Sequence, residues 1–263
     1  MQPRIVYILP SFRNFEYARQ CLLSLHRFSP FAQAVIVDDA SPDWSSSYGW
    51  WQRTGGRSQA YRFASQGGLT RSWNMGLEIA RGLSPEFIVC GNNDVLFSPD
   101  WWQPMCAALA AGYALTGPVS NAPGTTAPGG LQHIRNYIAD YRLTDNPLAI
   151  AEVSKRLRRQ YSGVCIPSPV NGFFMMAKCD TWHRHGYSGD SVFPPLIHAS
   201  PSGKTNRTPT MTGQEDWLQY VWQKKGLQSC IVPSSFIFHY RSVARGRAFA
   251  RGEYMRMSAN YSR

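Results

Sequence analysis

The chain has 263 residues, enough for one large domain or two small ones. Apolar residues make up 43% and charged residues 16%, which supports a sizeable core and argues against disorder; no apolar run approaches the roughly 20 residues of a membrane span. Net charge is +11, with 22 Arg against 5 Lys. This leaves open either a soluble basic surface or a polyanionic partner whose phosphates the Arg forks would grip.

The N-terminus, MQPRIVYILPSF, enters a strand pattern directly and lacks a signal-peptide layout. The six cysteines (21, 90, 106, 165, 179 and 230) are scattered, with no CxxC spacing. Reduced thiols in a cytoplasmic protein are therefore expected, rather than disulfides or zinc. Strand and helix signals then alternate. Arg4 to Leu9 reads as a strand, Phe15 to Phe28 as a helix, Ala34 to Val37 as a strand stopping at Asp38-Asp39, and 61–63 as a short strand. Leu69 to Arg81 reads as a helix, Glu86 to Cys90 as a strand, Pro99 to Ala111 as a helix and Tyr113 to Val119 as a strand. This βαβα order predicts an α/β domain with a mostly parallel central sheet and helices on both faces.

The segment NAPGTTAPGG from Asn121 is a loop by composition, and a helix around Leu148 to Tyr161 follows, carrying Lys155-Arg156-Leu157-Arg158-Arg159. Val170 to Ala177 resumes a strand, and 187–213 reads as a long loop rich in Gly, Pro, Ser and Thr. Gln214 to Lys225 is helical, and Ser229 to Tyr240 is a strand. Residues 241–263 hold six Arg and one Glu and contribute +5 of the net charge.

In an open α/β sheet, ligands bind beyond the carboxyl ends of the strands. The polar residues expected there are Pro10-Ser11-Phe12, Asp38-Asp39, Asn92-Asn93-Asp94, Glu215-Asp216 and His239. Hard oxygen ligands with a histidine suit Mg2+ or Mn2+ held against a diphosphate. The segments ILPSFRNFEYARQCLLSL, VIVDDASPD, GGLTRSWNMGLEIA, CGNNDVLFSPDWW, VNGFFMMAKCDTWHRHG and GQEDWLQYVWQKKG…VPSSFIFHY, in this order and spacing, resemble glycosyltransferase family 2 and its GT-A fold. The resemblance covers about 4–120 and 168–240. It implies one Rossmann-like GT-A domain over 1–240, with a nucleotide-sugar-binding half to residue 120, an acceptor-side half beyond it, and 241–263 as a basic tail.

By that resemblance Pro10 and Ser11 line the nucleotide pocket, and Asp38 or Asp39 hydrogen-bonds the nucleobase. A competing reading of Asp39 is an Asx-type cap on the turn DASPD. Arg71 falls near the diphosphate, its competing reading being a solvent-facing helix Arg, while Asn74 and Gly76 fit a structural helix pattern. Asn92, Asn93 and Asp94 stand where the family has its Asp-x-Asp metal motif. Asn92 departs from that motif, so Asp94 carries the carboxylate chemistry. The resemblance makes Asp216 the general base of an inverting displacement, with Glu215 orienting it or touching the acceptor. The alternative is that this acidic pair complements a helix N-terminus. His239 falls where some relatives supply a metal ligand; a structural histidine is the other reading. His183 and His185 are read as surface residues.

The expected activity is transfer of a sugar from a nucleotide-sugar, a UDP-sugar first, to an acceptor hydroxyl with Mn2+ or Mg2+. The acceptor stays open between a hydroxylated base in DNA and a cell-surface or lipid-linked glycan. Arg-rich 155–159 and 241–263 would neutralise DNA phosphates, or meet an anionic membrane surface peripherally. A DNA base would be flipped out toward Asp216, and Trp50, Trp51 and Trp217 are candidates to stack on it. The rival class is a degenerate, non-catalytic transferase fold that binds nucleic acid. Asn92 favours it, and the intact Glu215-Asp216 pair opposes it.

Overall fold

A computed structural model describes residues 2–53, 58–123, 130–186, 191–193 and 214–240. The basic tail and most of the 187–213 segment lie outside the described residues.

Strands β1 (Ile5–Ser11), β2 (Gln33–Asp38), β3 (Ser58–Arg62) and β4 (Phe87–Gly91) run parallel in the order β3-β2-β1-β4. All seven residues of β1 are buried, as expected for a strand covered on both faces. Helix α1 (Phe15–Phe28) buries Ala18, Cys21, Leu22 and Leu25, a stripe at helical spacing. Helix α3 (Leu69–Gly82) buries Trp73, Gly76, Leu77 and Ala80 against β1 and β2. Gly76 allows that approach, because a Cβ there would stand 2.3 Å from Ile8 Cγ2.

The second half turns the sheet mixed. It adds β5 (Val95–Phe97), β6 (Leu115–Val119), β7 (Ile166–Pro167), β8 (Phe174–Lys178) and β9 (Ser229–His239). Strand β8 lies antiparallel between β4 and β6; β9 runs parallel to β6 and antiparallel to β5 and β7. The expected parallel sheet thus describes the first four strands, and the added strands make a nine-stranded mixed sheet. Helix α4 (Trp102–Ala110) starts later than expected, because Pro99 precedes a left-handed Asp100 at φ 54°. Helix α5 (Pro147–Tyr161) is capped by Asn146, whose side chain accepts from Leu148 N at 2.8 Å, with proline in the first turn. Helix α6 (Cys179–Arg184) follows β8, and α7 (Gln214–Lys224) forms where a helix is expected from Gln214.

Two differences from the sequence reading have local causes. Trp44–Arg53 forms a helix, α2, despite its serine-rich sequence. Trp51, only 4% exposed, packs edge-on to Phe15 and stacks on Trp44 one heptad earlier, so burial outweighs weak helix propensity. The strand expected from Val170 begins at Phe174, because 170–173 turn toward α7 instead of pairing. All six cysteines are free, and among the described residues no helix is long and apolar enough to cross a membrane.

Candidate active site

The carboxyl ends of β1, β2 and β4 open on one edge of the sheet, and β9 ends beside the turn that follows β4. Register brings the distant pieces together: in the β5–β9 pairing Val95 faces His239, and Tyr240 N donates to Asp94 O at 2.9 Å. His239 and Asp94 are therefore neighbours despite lying 145 positions apart in sequence, with Nε2 3.1 Å from Asp94 Oδ1. Asp94 is 4% exposed and His239 3%.

The imidazole is oriented from behind. Its Nδ1 lies 2.6 Å from the carbonyl oxygen of Ala122. A carbonyl only accepts, so Nδ1 carries a proton and Nε2 faces the carboxylate. The side-chain amide of Asn92 stands 3.2 Å from the same Nε2. Asn121 fixes the His239 backbone, accepting from its N–H and donating to its carbonyl. Phe173 stacks on the ring at 5.1 Å and 14°. A buried carboxylate oxygen and an imidazole nitrogen thus meet at one point; the Asn92 atom beside them is Nδ2, an N–H donor to the ring, so Asn92 would serve a cation only through Oδ1 with its amide turned over. This donor set fits a hard divalent cation, and the hydrogen bond from Nδ1 is the usual outer support of a metal-binding histidine. Among the described residues no group of three or more His, Cys, Asp or Glu gathers, so this corner offers a pair of such residues, Asp94 and His239.

Helix α7 reaches the same corner through 170–173. Gln219 accepts from Val170 N and donates to Val170 O, both at 2.7 Å, and locks the helix to this turn. Glu215 lies directly on Gly172: a Cβ there would stand 2.9 Å from Glu215 Cδ. Gly172 precedes Phe173, whose carbonyl accepts from Asn92 N at 2.9 Å. The acidic start of α7 and the Asn92–Asp94 turn are thereby held by one short segment. Asp216, next to Glu215, is an exposed residue whose carboxyl is nevertheless raised from its ordinary pKa by desolvation. Sequence reasoning missed the roles of Gly172, Phe173 and Asn121. A signal for Gly172 stood in VNGFF, where a glycine precedes buried aromatics.

The nucleotide side is built differently. Asp38 Oδ2 accepts from Ser41 N at 2.9 Å and pairs with Arg62 at 3.4 Å. Burial nonetheless raises the Asp38 pKa, with Ser41 and Arg62 opposing it. The turn cap that was the competing reading of Asp39 is therefore made by Asp38. Asp39 instead accepts from the backbone N–H groups of Gly67 and Gly68, at 2.9 and 2.7 Å, and from Arg71 at 2.6 Å. Arg71 also donates to Ser65 O, and its guanidinium covers the Phe63 ring at 3.7 Å. Pro10 and Ser11 end β1 as expected, and Ser11 lines a shallow hollow with Arg13, Asp38, Ser41 and Trp44.

The model of Glycosyl transferase family 2 matches residues 7–162. The chain belongs to glycosyltransferase family 2. No curated protein matches by sequence. Among solved structures, the family 2 chain is similar to GalNAc-T7 with UDP, GalNAc and Mn2+, at a TM-score of 0.64 and 14% identity over 90% of this chain and 44% of that one. It is similar to the mannosyltransferase PcManGT from Pyrobaculum calidifontis in complex with GDP-Man and Mn2+, at 0.60 and 16% identity over 92% and 59%. It is also similar to S. aureus TarS 1-349, at 0.56 and 12% identity over 90% and 60%. At these identities the likeness is one of fold, the GT-A fold. The family 2 chain spans roughly half the length of these proteins.

The other candidates have structural partners. Trp51 is buried and helps line the hollow beside Ser11 and Asp38, while Trp50 is half-buried and packs edge-on to Phe15 and Trp51. His183 and His185 are half-buried, and burial lowers the pKa of both. On α5, Lys155 and Arg159 are exposed, while Arg158 pairs with Asp100 at 2.6 Å and Arg156 donates to Asp140 O. Asn74 binds the backbone of Val192 and Phe193 with both ends of its amide, a structural role.

Proposed function

We propose that this family 2 chain is an inverting glycosyltransferase. It would move a sugar from a nucleotide-sugar to an acceptor hydroxyl, with Asp216 as general base. The observation that carries this reading is the junction at Gly172–Phe173, which holds the acidic start of α7 against the Asp94–His239 corner. Pro10, Ser11 and the loops tied by Asp38 and Asp39 would receive the nucleotide, with Arg71 at the diphosphate side. Asp94, His239 and Asn92 would hold Mn2+ or Mg2+; when bound, such an ion offsets negative charge on a departing diphosphate. Asp216 would take the acceptor hydroxyl's proton as that oxygen attacks the anomeric carbon. The nucleotide leaves from the opposite face, so the configuration inverts. Desolvation of Asp216 strengthens it as a base, because a raised pKa lies closer to neutrality. The Mn2+ and the UDP or GDP-Man of similar structures support a metal and a nucleotide-sugar in general.

For the acceptor, net charge of +11 and the exposed Lys155 and Arg159 favour a polyanion, and we take DNA bearing a hydroxylated base over a neutral glycan. The test is a panel of UDP- and GDP-sugars, with melting shifts read with and without Mn2+, since a ligand bound only by the folded state raises the melting temperature. A metal-dependent shift with one donor, followed by transfer to hydroxymethylated duplex, is expected. No shift with any donor would overturn the catalytic reading. Transfer only to a neutral glycan, or duplex binding that ignores salt, would overturn the DNA acceptor.

A further inference from the structure

We infer that Tyr7, on β1 beneath the crevice, is a positioning residue for the Asn92–Asp94 metal turn; this rests on the metal reading above. Its phenol is fully buried among Phe97, Phe174 and the rest of the core, where a tyrosine oxygen needs a partner. The hydroxyl donates to the backbone carbonyl of Asn92 at 2.6 Å, across 85 positions of sequence.

This contact completes a set of anchors on the turn. Asn92 N donates to Phe173 O at 2.9 Å, and Asp94 O accepts from Tyr240 N at 2.9 Å. The Tyr7 bond holds the remaining polar group of Asn92's backbone, and with it the peptide plane between Asn92 and Asn93. That plane sets the direction from which the Asn92 and Asp94 side chains enter the site. Gly91 belongs to the same device. A Cβ at 91 would stand 2.3 Å from the Tyr7 hydroxyl oxygen, so only glycine lets that hydroxyl reach the next carbonyl. The opening Cys90-Gly91-Asn92 of the metal turn is thus matched to a tyrosine on the neighbouring strand. A Phe at position 7 would fill the core equally well without reaching the turn.

The test uses Tyr7→Phe, which keeps the ring and removes the donor. Mn2+ affinity is measured by titration in the presence of saturating UDP, and turnover is measured across Mn2+ concentrations. Loss of an outer-shell support typically weakens metal binding by about 10–100-fold. Tyr7→Phe is expected to weaken Mn2+ by about tenfold, with kcat largely restored at saturating Mn2+ and the KM for donor there unchanged. Trp101→Phe serves as the packing control: Trp101 lies in the same core and donates to Ser29 Oγ, away from the turn. It should lower the melting temperature and leave Mn2+ affinity alone. Tyr7→Phe behaving like Trp101→Phe, with stability lost and Mn2+ affinity intact, would overturn the inference. Asp94→Ala separates the two levels. If it abolishes Mn2+ binding while Tyr7→Phe does not alter it, only the role of Tyr7 fails. If Asp94→Ala, or the wild type itself, shows no dependence on the site, the metal reading fails and takes this inference with it.

Discussion

The two acidic strand ends of this molecule are finished in opposite ways. After β2, the carboxylates are engaged by nearby protein groups: Asp38 by Ser41 and Arg62, Asp39 by two backbone N–H groups and the Arg71 guanidinium. After β4, Asp94 faces His239 Nε2, beside a neutral amide. The first arrangement supplies its own cationic counter-charge and fixes loops. The second directs a buried carboxylate and an imidazole at the same point, an arrangement a cation would complete. An acidic residue at a strand end is thus not functional by position alone; its partners decide whether its charge is spent on the fold or held for a ligand.

The largest expected effect tests the chemistry beside the second region. Asp216→Asn keeps shape but cannot accept a proton at neutral pH, and loss of a positioned base costs on the order of 10²–10⁴-fold in turnover. Donor and Mn2+ binding should stay near wild type. The base must be ionised to work, and desolvation raises its pKa. Activity should therefore fall as pH drops through a value above the ordinary aspartate range, and the profile should lose that limb in Asp216→Asn. Near-normal turnover in the variant, with its melting temperature unchanged, would make this acidic pair a helix-terminus feature.

Next in size is the metal corner itself. Asp94→Ala should weaken Mn2+ by at least about 100-fold and erase any Mn2+-dependent melting shift, since loss of even an outer support costs up to that much. Asn92→Asp adds a carboxylate and should preserve or strengthen the shift. Equal shifts in wild type and Asp94→Ala would dissolve the contrast between the two strand ends.

Asp39→Asn probes the contrast from the other side. It removes the charge from a set of bonds that includes Arg71, and hydrogen bonds to charged groups are worth about 1.5–3 kcal/mol each. The melting temperature should fall by several degrees, with turnover changed less than about threefold. A steep rise in KM for the donor at unchanged stability would instead assign Asp39 to the nucleobase, as the family resemblance implies.

Much of the first strand end was legible in sequence because its physics is local. The helix expected over Phe15 to Phe28 has those bounds, and the turn after Asp38-Asp39 is there, although Asp38 makes the cap. The apolar Val-Leu-Phe after Asp94 returns to the core as β5. The second strand end was legible only as a set of residue types. His239 reaches Asp94 through the antiparallel β5–β9 register, and Glu215 reaches the turn because Gly172 lacks a side chain. Neither follows from periodicity, which reports which face a residue occupies and says nothing of its partner 145 positions away. Trp44–Arg53 escaped for a related reason: its helix is imposed by where Trp51 must be buried, against a composition that disfavours it.

The smallest expected effect concerns a third buried carboxylate, away from both strand ends. Asp145 is 1% exposed; its Oδ2 accepts from Tyr240 Oη at 3.1 Å, and its Oδ1 has no partner among the described residues. Burial pushes its pKa up to about 6, the Tyr240 hydroxyl opposing that only in part. A carboxyl raised in the folded state favours folding below its unfolded pKa, and that contribution is lost as pH rises through about 6. Asp145→Asn removes the buried charge. It should raise the melting temperature above pH 6 by about 2–4 °C, the shift expected for roughly 1 kcal/mol in a chain of this size. Near about pH 3 and below, where the wild-type carboxyl is largely protonated in both states, the gain should vanish. Thermal melts of both proteins from about pH 3 to about pH 8 measure this. A gain that is flat with pH would mean that Asp145 is not charged and under-compensated in the native state. The rule drawn from the two strand ends, that partners decide how a buried carboxylate's charge is used, would then not extend to the loop behind them.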